Sequence, residues 1–189
     1  MTLPCITPMT LADLDDIMPL ERRVFKDPWT RRMYHTDLTD NYMATYLVLR
    51  PDPQGEPQPR LPRILGWGGF WLMVDEAHIS TIAAHPDWRG CGLGQWLMVA
   101  LMWAAQERGA LHSTLEVRVS NTPARMLYEK LGYGVTGQRR RYYRDGEDGL
   151  IMTTPPLADA ALQARLAAAY ADALARAAGC IADPPGPAA

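Results

Sequence analysis

A mixed α/β sheet flanked by helices is the fold class this sequence predicts, on three observations. Ile64 to Val74 and Ala77 to Ala84 are apolar runs joined by a tight Asp75-Glu76 turn, which reads as a strand pair. The glycine-rich stretch Arg89-Gly90-Cys91-Gly92-Leu93-Gly94 then separates the strand Ile79 to Ala84 from a helical run, Trp96 to Glu107, the strand-loop-helix order of a layered α/β protein. Finally, Leu115, Val117 and Val119 alternate with Glu116 and Arg118, placing the polar pair on the opposite face of another strand. With the elements after it, the order from residue 64 onward is ββαβαββ.

The remaining elements follow in chain order. Ile6 begins a short strand. Thr10 and Asp13 can cap a helix carrying Leu11, Leu14, Ile17 and Met18, which Pro19 is expected to interrupt. Asp27-Pro28-Trp29-Thr30 breaks the chain and restarts a helix to about Asp37, and Tyr42, Ala44, Tyr46 and Val48 alternate as in a half-buried strand. Residues 51–63 form a proline-rich loop insertion. The helix after the glycine loop stops at Gly109, and a helix opened by Asn121-Thr122-Pro123 closes at Gly132, both suited to the left-handed position past a helix end. Two strands, Gly134 to Tyr143 and Asp148 to Thr154, complete a domain over 1–157. Beyond it, Leu162, Leu166, Tyr170 and Leu174 recur every fourth residue, predicting an alanine-rich helix over 158–178 and a flexible tail over 179–189. That helix is expected to stabilise the domain or to meet a protein partner, and to supply nothing to chemistry.

Composition bounds the function. With 189 residues and 48% hydrophobic content the chain suits one domain with a sizeable core. A net charge of −2 gives no global field toward nucleic acid, and the arginine clusters at 22–23, 31–32, 60–63 and 139–144 read as solvated surface. Cys5, Cys91 and Cys180 show no pairing rhythm and no basic-then-apolar leader precedes them, so a reducing cytoplasm is expected, with neither a disulfide nor a metal centre. His35, His78, His85 and His112 lack ligand spacing and read as structural or surface residues. No apolar run approaches the ~20 residues needed to cross a bilayer, so no membrane association is expected.

The glycine loop is the first carrier of chemistry. Glycines at 90, 92 and 94 let the backbone curl until several N–H groups converge, and the following helix adds its unpaired amides and the positive end of its dipole. Such a loop grips phosphate. It lacks the Gly-Lys-Ser/Thr ending of a nucleotide-hydrolysing loop. Dinucleotide binding is a rival, because Gly92-Leu93-Gly94 is a GxG and Glu116 lies 22 residues beyond Gly94. Against it, Leu97 replaces the third small residue, and His85-Pro86-Asp87-Trp88-Arg89 separates strand from glycines. The pattern Arg-x-x-Gly-x-Gly instead resembles the acetyl-CoA loop of the GCN5-related N-acetyltransferases.

The second carrier is the segment from Leu115-Glu116-Val117-Arg118-Val119-Ser120-Asn121 to Leu127-Tyr128-Glu129-Lys130-Leu131-Gly132-Tyr133. Asn121 and Tyr128 lie seven residues apart on one helix, hence on nearly the same face, where Tyr128 and Glu116 can approach one cleft. Together with the loop, the segment resembles the RimI-type ribosomal-protein alanine N-acetyltransferases of the GCN5-related superfamily, over roughly residues 4–154. That resemblance implies a mostly antiparallel mixed sheet with a central V-shaped splay, and acetyl-CoA as co-substrate without a metal. It implies Glu116 as general base and Tyr128 as general acid. It implies cofactor contacts from Ile82, Ala83 and Ala84, from Arg89, Gly90, Cys91, Gly92, Leu93, Gly94 and Gln95, and from Asn121. The segments Glu21 to Trp29 and Arg141 to Arg144 resemble those bordering the acceptor peptide. Read from the residues alone, Glu116 is also the polar side of a half-buried strand, Tyr128 a core tyrosine and Asn121 a helix cap.

The implied reaction is acetyl transfer to the N-terminal alanine of a small-subunit ribosomal protein. The chemistry favours such an acceptor. An α-amine (pKa ≈ 7.7–8.0) is about a tenth neutral at pH 7 while a lysine (≈ 10.4) is neutral less than a thousandth of the time, a handicap of roughly 3.5 kcal/mol. One carboxylate relaying through water can activate the former far more readily. Two alternatives remain at this point: a broader peptide N-terminal or lysine acetyltransferase of the same fold, and a non-catalytic cofactor- or dinucleotide-binding module.

Overall fold

In the computed structural model, which describes residues 3–55 and 57–185, seven strands form one sheet of order β1-β2-β3-β4-β5-β7-β6. The strands are β1 (Cys5–Pro8), β2 (Ala44–Arg50), β3 (Gly66–Met73), β4 (Glu76–Ala84), β5 (His112–Arg118), β6 (Gly134–Arg139) and β7 (Gly149–Thr153). The helices are α1 (Leu14–Val24), α2 (Arg31–Thr39), α3 (Leu93–Glu107), α4 (Thr122–Lys130) and α5 (Ala160–Ala182). All neighbouring strands are antiparallel except β4 and β5. The expected mixed, mostly antiparallel sheet is therefore present.

The parallel pair shapes the molecule. β4 and β5 are paired only at Glu76 with His112, Ala77 with Ser113 and His78 with Thr114; from Ile79 and Leu115 onward no pairs join them. The divergence starts beside a bulge in β4. Phe70 of β3 faces Ile79 while Gly69 faces Thr81, which leaves Ser80 as the extra residue. An inserted residue bends its strand and strengthens the local twist. The central sheet thus opens into a V, with β4 and β5 as its arms.

Two layers cover the sheet. Leu14, Ile17 and Met18 of α1 and Tyr34 of α2 pack with Tyr46, Val48 and Trp67 on one face. Leu97, Leu101 and Met102 of α3 pack with Phe70, Ala77 and Leu115 on the other. Pro19 does not end α1: the helix runs through it to Val24. Proline removes one bond to the carbonyl four residues earlier. Here that carbonyl belongs to exposed Asp15, while Leu14, Ile17, Met18 and Glu21 bury the opposite face.

α3 is apolar nearly all round, which requires cover on its outer side as well. α5 supplies it. Leu162, Leu166 and Ala169 join the main core, Tyr170 packs against Trp96 and Trp103, and the Trp103 indole N–H donates to Gln163 at 3.1 Å. The helix extends to Ala182, so 179–182, expected as tail, are helical; the end of that tail, 186–189, lies outside the described residues. The expectation of unpaired thiols is corrected: Cys91 and Cys180 form a disulfide across 89 positions of sequence. Spacing along the chain carries no trace of it, because only the folding of α5 back onto the glycine loop brings the two thiols together. No helix of the described residues is long and apolar enough to cross a membrane.

Candidate active site

A cleft of about 510 Å³ opens between the arms of the V. β4 lines it with Ile79 to Ile82, β5 with Leu115 to Arg118, and α4 with Asn121, Ala124 and Tyr128; Arg89 of the glycine loop stands at its edge. Of the residues singled out from sequence, Glu116, Tyr128, Asn121, Ile82 and Arg89 therefore surround one space. Ala83 and Ala84 pair with Trp67 and Gly66 of β3, and Ala83 packs toward α1.

The glycine loop leads into α3 with Gly90 at φ +84° and Gly92 at φ +80°, a left-handed geometry that side chains resist. A Cβ at Gly90 would meet nothing within 4 Å, and one at Gly94 only the end of Leu127 at 3.8 Å. The first amides of α3 have no partner within the helix, and the open space at Gly90 and Gly94 leaves room for a group such as pyrophosphate beside them. The side chains of the loop turn toward the C-terminal helix. Cys91 is buried in its disulfide, Leu93 is buried beside Trp88 and Trp96, and Gln95 donates to Ala169 O at 2.5 Å and to Asp172 at 3.0 Å. A Cβ at Gly92 would press on the backbone of Ala173, its oxygen at 3.0 Å. These positions face α5, so any hold on a ligand falls to their main chain.

α4 begins where Asn121 accepts from Ala124 N–H at 3.3 Å, so Asn121 caps the helix and still borders the cleft. Two turns on, Tyr128 is 8% exposed. Among the described residues its hydroxyl has no hydrogen-bond partner, and burial pushes its pKa well above the ordinary tyrosine value, with Tyr143 adding to the shift. It stays protonated throughout the neutral range.

Glu116 lies on β5 with its side chain 7% exposed. One carboxylate oxygen sits 2.8 Å from Arg139 Nε of β6 and the other 3.2 Å from His78 Nε2 of β4. The His78 ring stacks on Trp71 with centroids 6.1 Å apart. A second opening, bordered by Trp71, His78, Arg139 and Tyr142, also has Glu116 in its wall. Glu116 therefore belongs to the lining of both openings. His78 and Arg139, expected to be structural or solvated, are its fixing partners. Neither was legible beforehand, since each meets Glu116 only through strand register.

A clasp crosses the mouth of the cleft. Arg118 donates to Asp27 in the loop between α1 and α2 at 2.9 Å, and to Asp145 and Glu147 in the loop between β6 and β7 at 2.9 Å each. Its guanidinium lies 3.9 Å from the centre of the Tyr143 ring. Beneath, Glu21 is fully buried and accepts from Trp29 N–H, the Tyr34 hydroxyl and the Trp67 indole at 2.9, 2.9 and 3.1 Å. Burial raises its pKa in spite of those bonds. The two segments expected to border an acceptor are thereby tied to β5.

A splayed β4–β5 pair, an amide-lined glycine loop at a helix start, and a carboxylate and a tyrosine in the cleft between them define an acyl-CoA-type transferase site. Residues 14–133 match the Acetyltransferase (GNAT) family. The chain belongs to this family of acetyl-CoA-dependent N-acetyltransferases. It is 38% identical over 152 residues (80% of this chain, 95% of the other) to a Bacillus subtilis protein provisionally named [ribosomal protein bS18]-alanine N-acetyltransferase. It is 34% identical over 153 residues (77% and 89%) to an N-alpha-acetyltransferase of Sulfurisphaera tokodaii. The crystal structure of the ribosomal-protein-S18-alanine N-acetyltransferase from Escherichia coli superposes with a TM-score of 0.70 at 28% identity, over 84% of this chain and 96% of that one.

Proposed function

We propose that the protein acetylates the N-terminal alanine of ribosomal protein bS18, with Glu116 and Tyr128 as its acid-base pair. The observation that carries this reading is the position of Glu116, in the lining of the cleft shared with Tyr128 and fixed at both oxygens. The names of the relatives support the acceptor.

Acetyl-CoA supplies an acetyl group already activated as a thioester, so the chain needs no nucleophile of its own. The residues present fit such a ligand: Gly90 and Gly94 leave open space at the start of α3, and β4 and β5 are not paired to each other beyond His78 and Thr114, which leaves backbone partners between them. Arg89, Asn121 and the main chain of Cys91 to Gln95 would hold its phosphates, and Ile82 to Ala84 its extended arm. Glu116 accepts a proton from the acceptor ammonium, directly or through one water. Arg139 and His78 keep the carboxylate from rotating out of line. Tyr128 donates a hydrogen bond toward the leaving sulfur. Because Tyr128 is 8% exposed and borders the cleft, that bond forms with little bulk water around it and is strengthened accordingly.

Tyr128→Phe tests the acid role by itself. Turnover is expected to fall about 10²-fold, with the acetyl-CoA dissociation constant measured by calorimetry nearly unchanged. A parallel loss of binding would assign Tyr128 to packing. The acceptor is tested with three synthetic peptides: the bS18 N-terminus with free alanine, the same peptide blocked at its α-amine, and one with its N-terminal alanine replaced by methionine. Acetylation of the first alone is expected. Comparable rates on the first and third would favour a broader peptide N-terminal acetyltransferase of the same fold, and modification of the blocked peptide would move the reaction to lysine.

A further inference from the structure

We propose that α5 is a working part of the cofactor site: Arg176 and the Cys91–Cys180 disulfide fasten the glycine loop in its binding shape, so acetyl-CoA affinity follows the redox state of the thiol pair. The inference rests on the reading that this loop binds acetyl-CoA. It departs from the expectation that the C-terminal helix has no part in the site.

Successive turns of α5 meet successive positions of the loop. Ala169 O and Asp172 take the Gln95 amide, Ala173 backs onto Gly92, Arg176 donates to the Gly90 carbonyl, and Cys180 bonds Cys91. Asp172 also receives Lys130 Nζ of α4 at 2.9 Å, which links the same turn to the helix carrying Asn121 and Tyr128. None of these residues of α5 lines the cleft.

The physical need is clear. A run with glycines at 90, 92 and 94 has more conformations to lose than any other backbone, and a ligand that must order it binds more weakly by that cost. Fastening the loop beforehand removes the cost from the binding step. The fastening is local: Leu162, Leu166 and Ala169 seat the first half of α5 in the main core, while Ala173, Ala177 and Cys180 belong to a separate cluster with Trp88, Cys91 and Leu93. Opening the disulfide therefore frees the loop while the domain remains folded.

The exchange balances with a low-molecular-weight thiol as reductant. Its thiolate attacks Sγ of Cys180, the less buried partner, and Cys91 departs as a thiolate that takes up a proton. A second thiol then releases Cys180 as a thiol and leaves the reagent as its disulfide, two electrons having passed to the protein. The reverse reaction with a low-molecular-weight disulfide closes the latch.

Calorimetry with acetyl-CoA, paired with steady-state kinetics on an N-terminal alanine peptide, tests this on the full chain. Compared are the disulfide form, the dithiothreitol-reduced form, Cys180→Ser, Arg176→Ala and Arg176→Lys, with thiol alkylation and intact mass reporting the redox state. Reduction and Cys180→Ser are expected to weaken acetyl-CoA binding and raise its KM about tenfold, with kcat and the peptide KM unchanged. Arg176→Ala should shift the same parameter, and Arg176→Lys should recover part of the loss because lysine still donates to the Gly90 carbonyl. Equal affinities in the disulfide and reduced forms, an intact mass after alkylation showing all three thiols free in the oxidised sample, or a fall in kcat at constant KM would overturn the latch and leave the acetyltransferase reading intact. No binding by the disulfide form would overturn both.

Discussion

Glu116→Gln is expected to lower kcat on an N-terminal alanine peptide by about 10²- to 10⁴-fold at pH 7, the range that a positioned general base contributes. The substitution keeps the shape of the side chain. Its ionic partner Arg139 is 57% exposed and can turn to water, so the fold should survive. The pH dependence provides the sharper reading. An α-amine is about a tenth neutral at pH 7 and almost wholly neutral at pH 9, so the variant should recover roughly eightfold over that interval as the acceptor deprotonates unaided. Wild-type enzyme gains less, and the ratio of the two rates narrows. A variant that matches wild type at pH 7 with acetyl-CoA saturating would remove Glu116 from the proton path.

Gly94→Val is expected to raise the acetyl-CoA dissociation constant by about 100-fold or more, because the new side chain stands where a phosphate must approach the amides. Position 94 makes a clean test. The added Cβ has only Leu127 near it, at 3.8 Å, so the apo fold tolerates it. Gly92→Val is a different experiment: its Cβ would press on Ala173 at 3.0 Å from a left-handed backbone, and its first effect is to lift α5. Thermal unfolding separates them. Gly94→Val should melt near wild type and fail to bind, whereas Gly92→Val should melt lower. Acetyl-CoA bound as tightly by Gly94→Val as by wild type would place the phosphates elsewhere.

Local chemistry made much of the fold legible. Strands with period two, the glycines past α3 and α4 at Gly109 and Gly132, both at positive φ, the Thr10–Asp13 capping box and the Asn121 cap, which accepts from Ala124 N–H, depend on neighbours within a few residues. The features that escaped depend on register or on distant packing. The bulge at Ser80, the His78–Glu116–Arg139 contact, the Arg118 clasp and the Cys91–Cys180 bond all join residues that the chain keeps apart. Pro19 misled because its cost of one hydrogen bond is easily read, while the buried face of α1 that outweighs it appears only after packing. The packing of Gly92 against Ala173 had no local signal either: three glycines in one loop look alike, and only the docking of α5 sets Gly92 apart from Gly94. The acceptor-side arginines gave no signal separating Arg139, held on Glu116, from neighbours that face solvent.

The central claim is that this chain modifies an α-amine at the N-terminus of bS18. Mass spectrometry of ribosomal-protein N-terminal peptides, from cells with and without the gene, tests it most directly. The account predicts acetylated N-terminal alanine on bS18 in the parent strain, its loss in the deletion strain and its return with the wild-type gene but not with Glu116→Gln. Unchanged acetylation of bS18 in the deletion strain would contradict it.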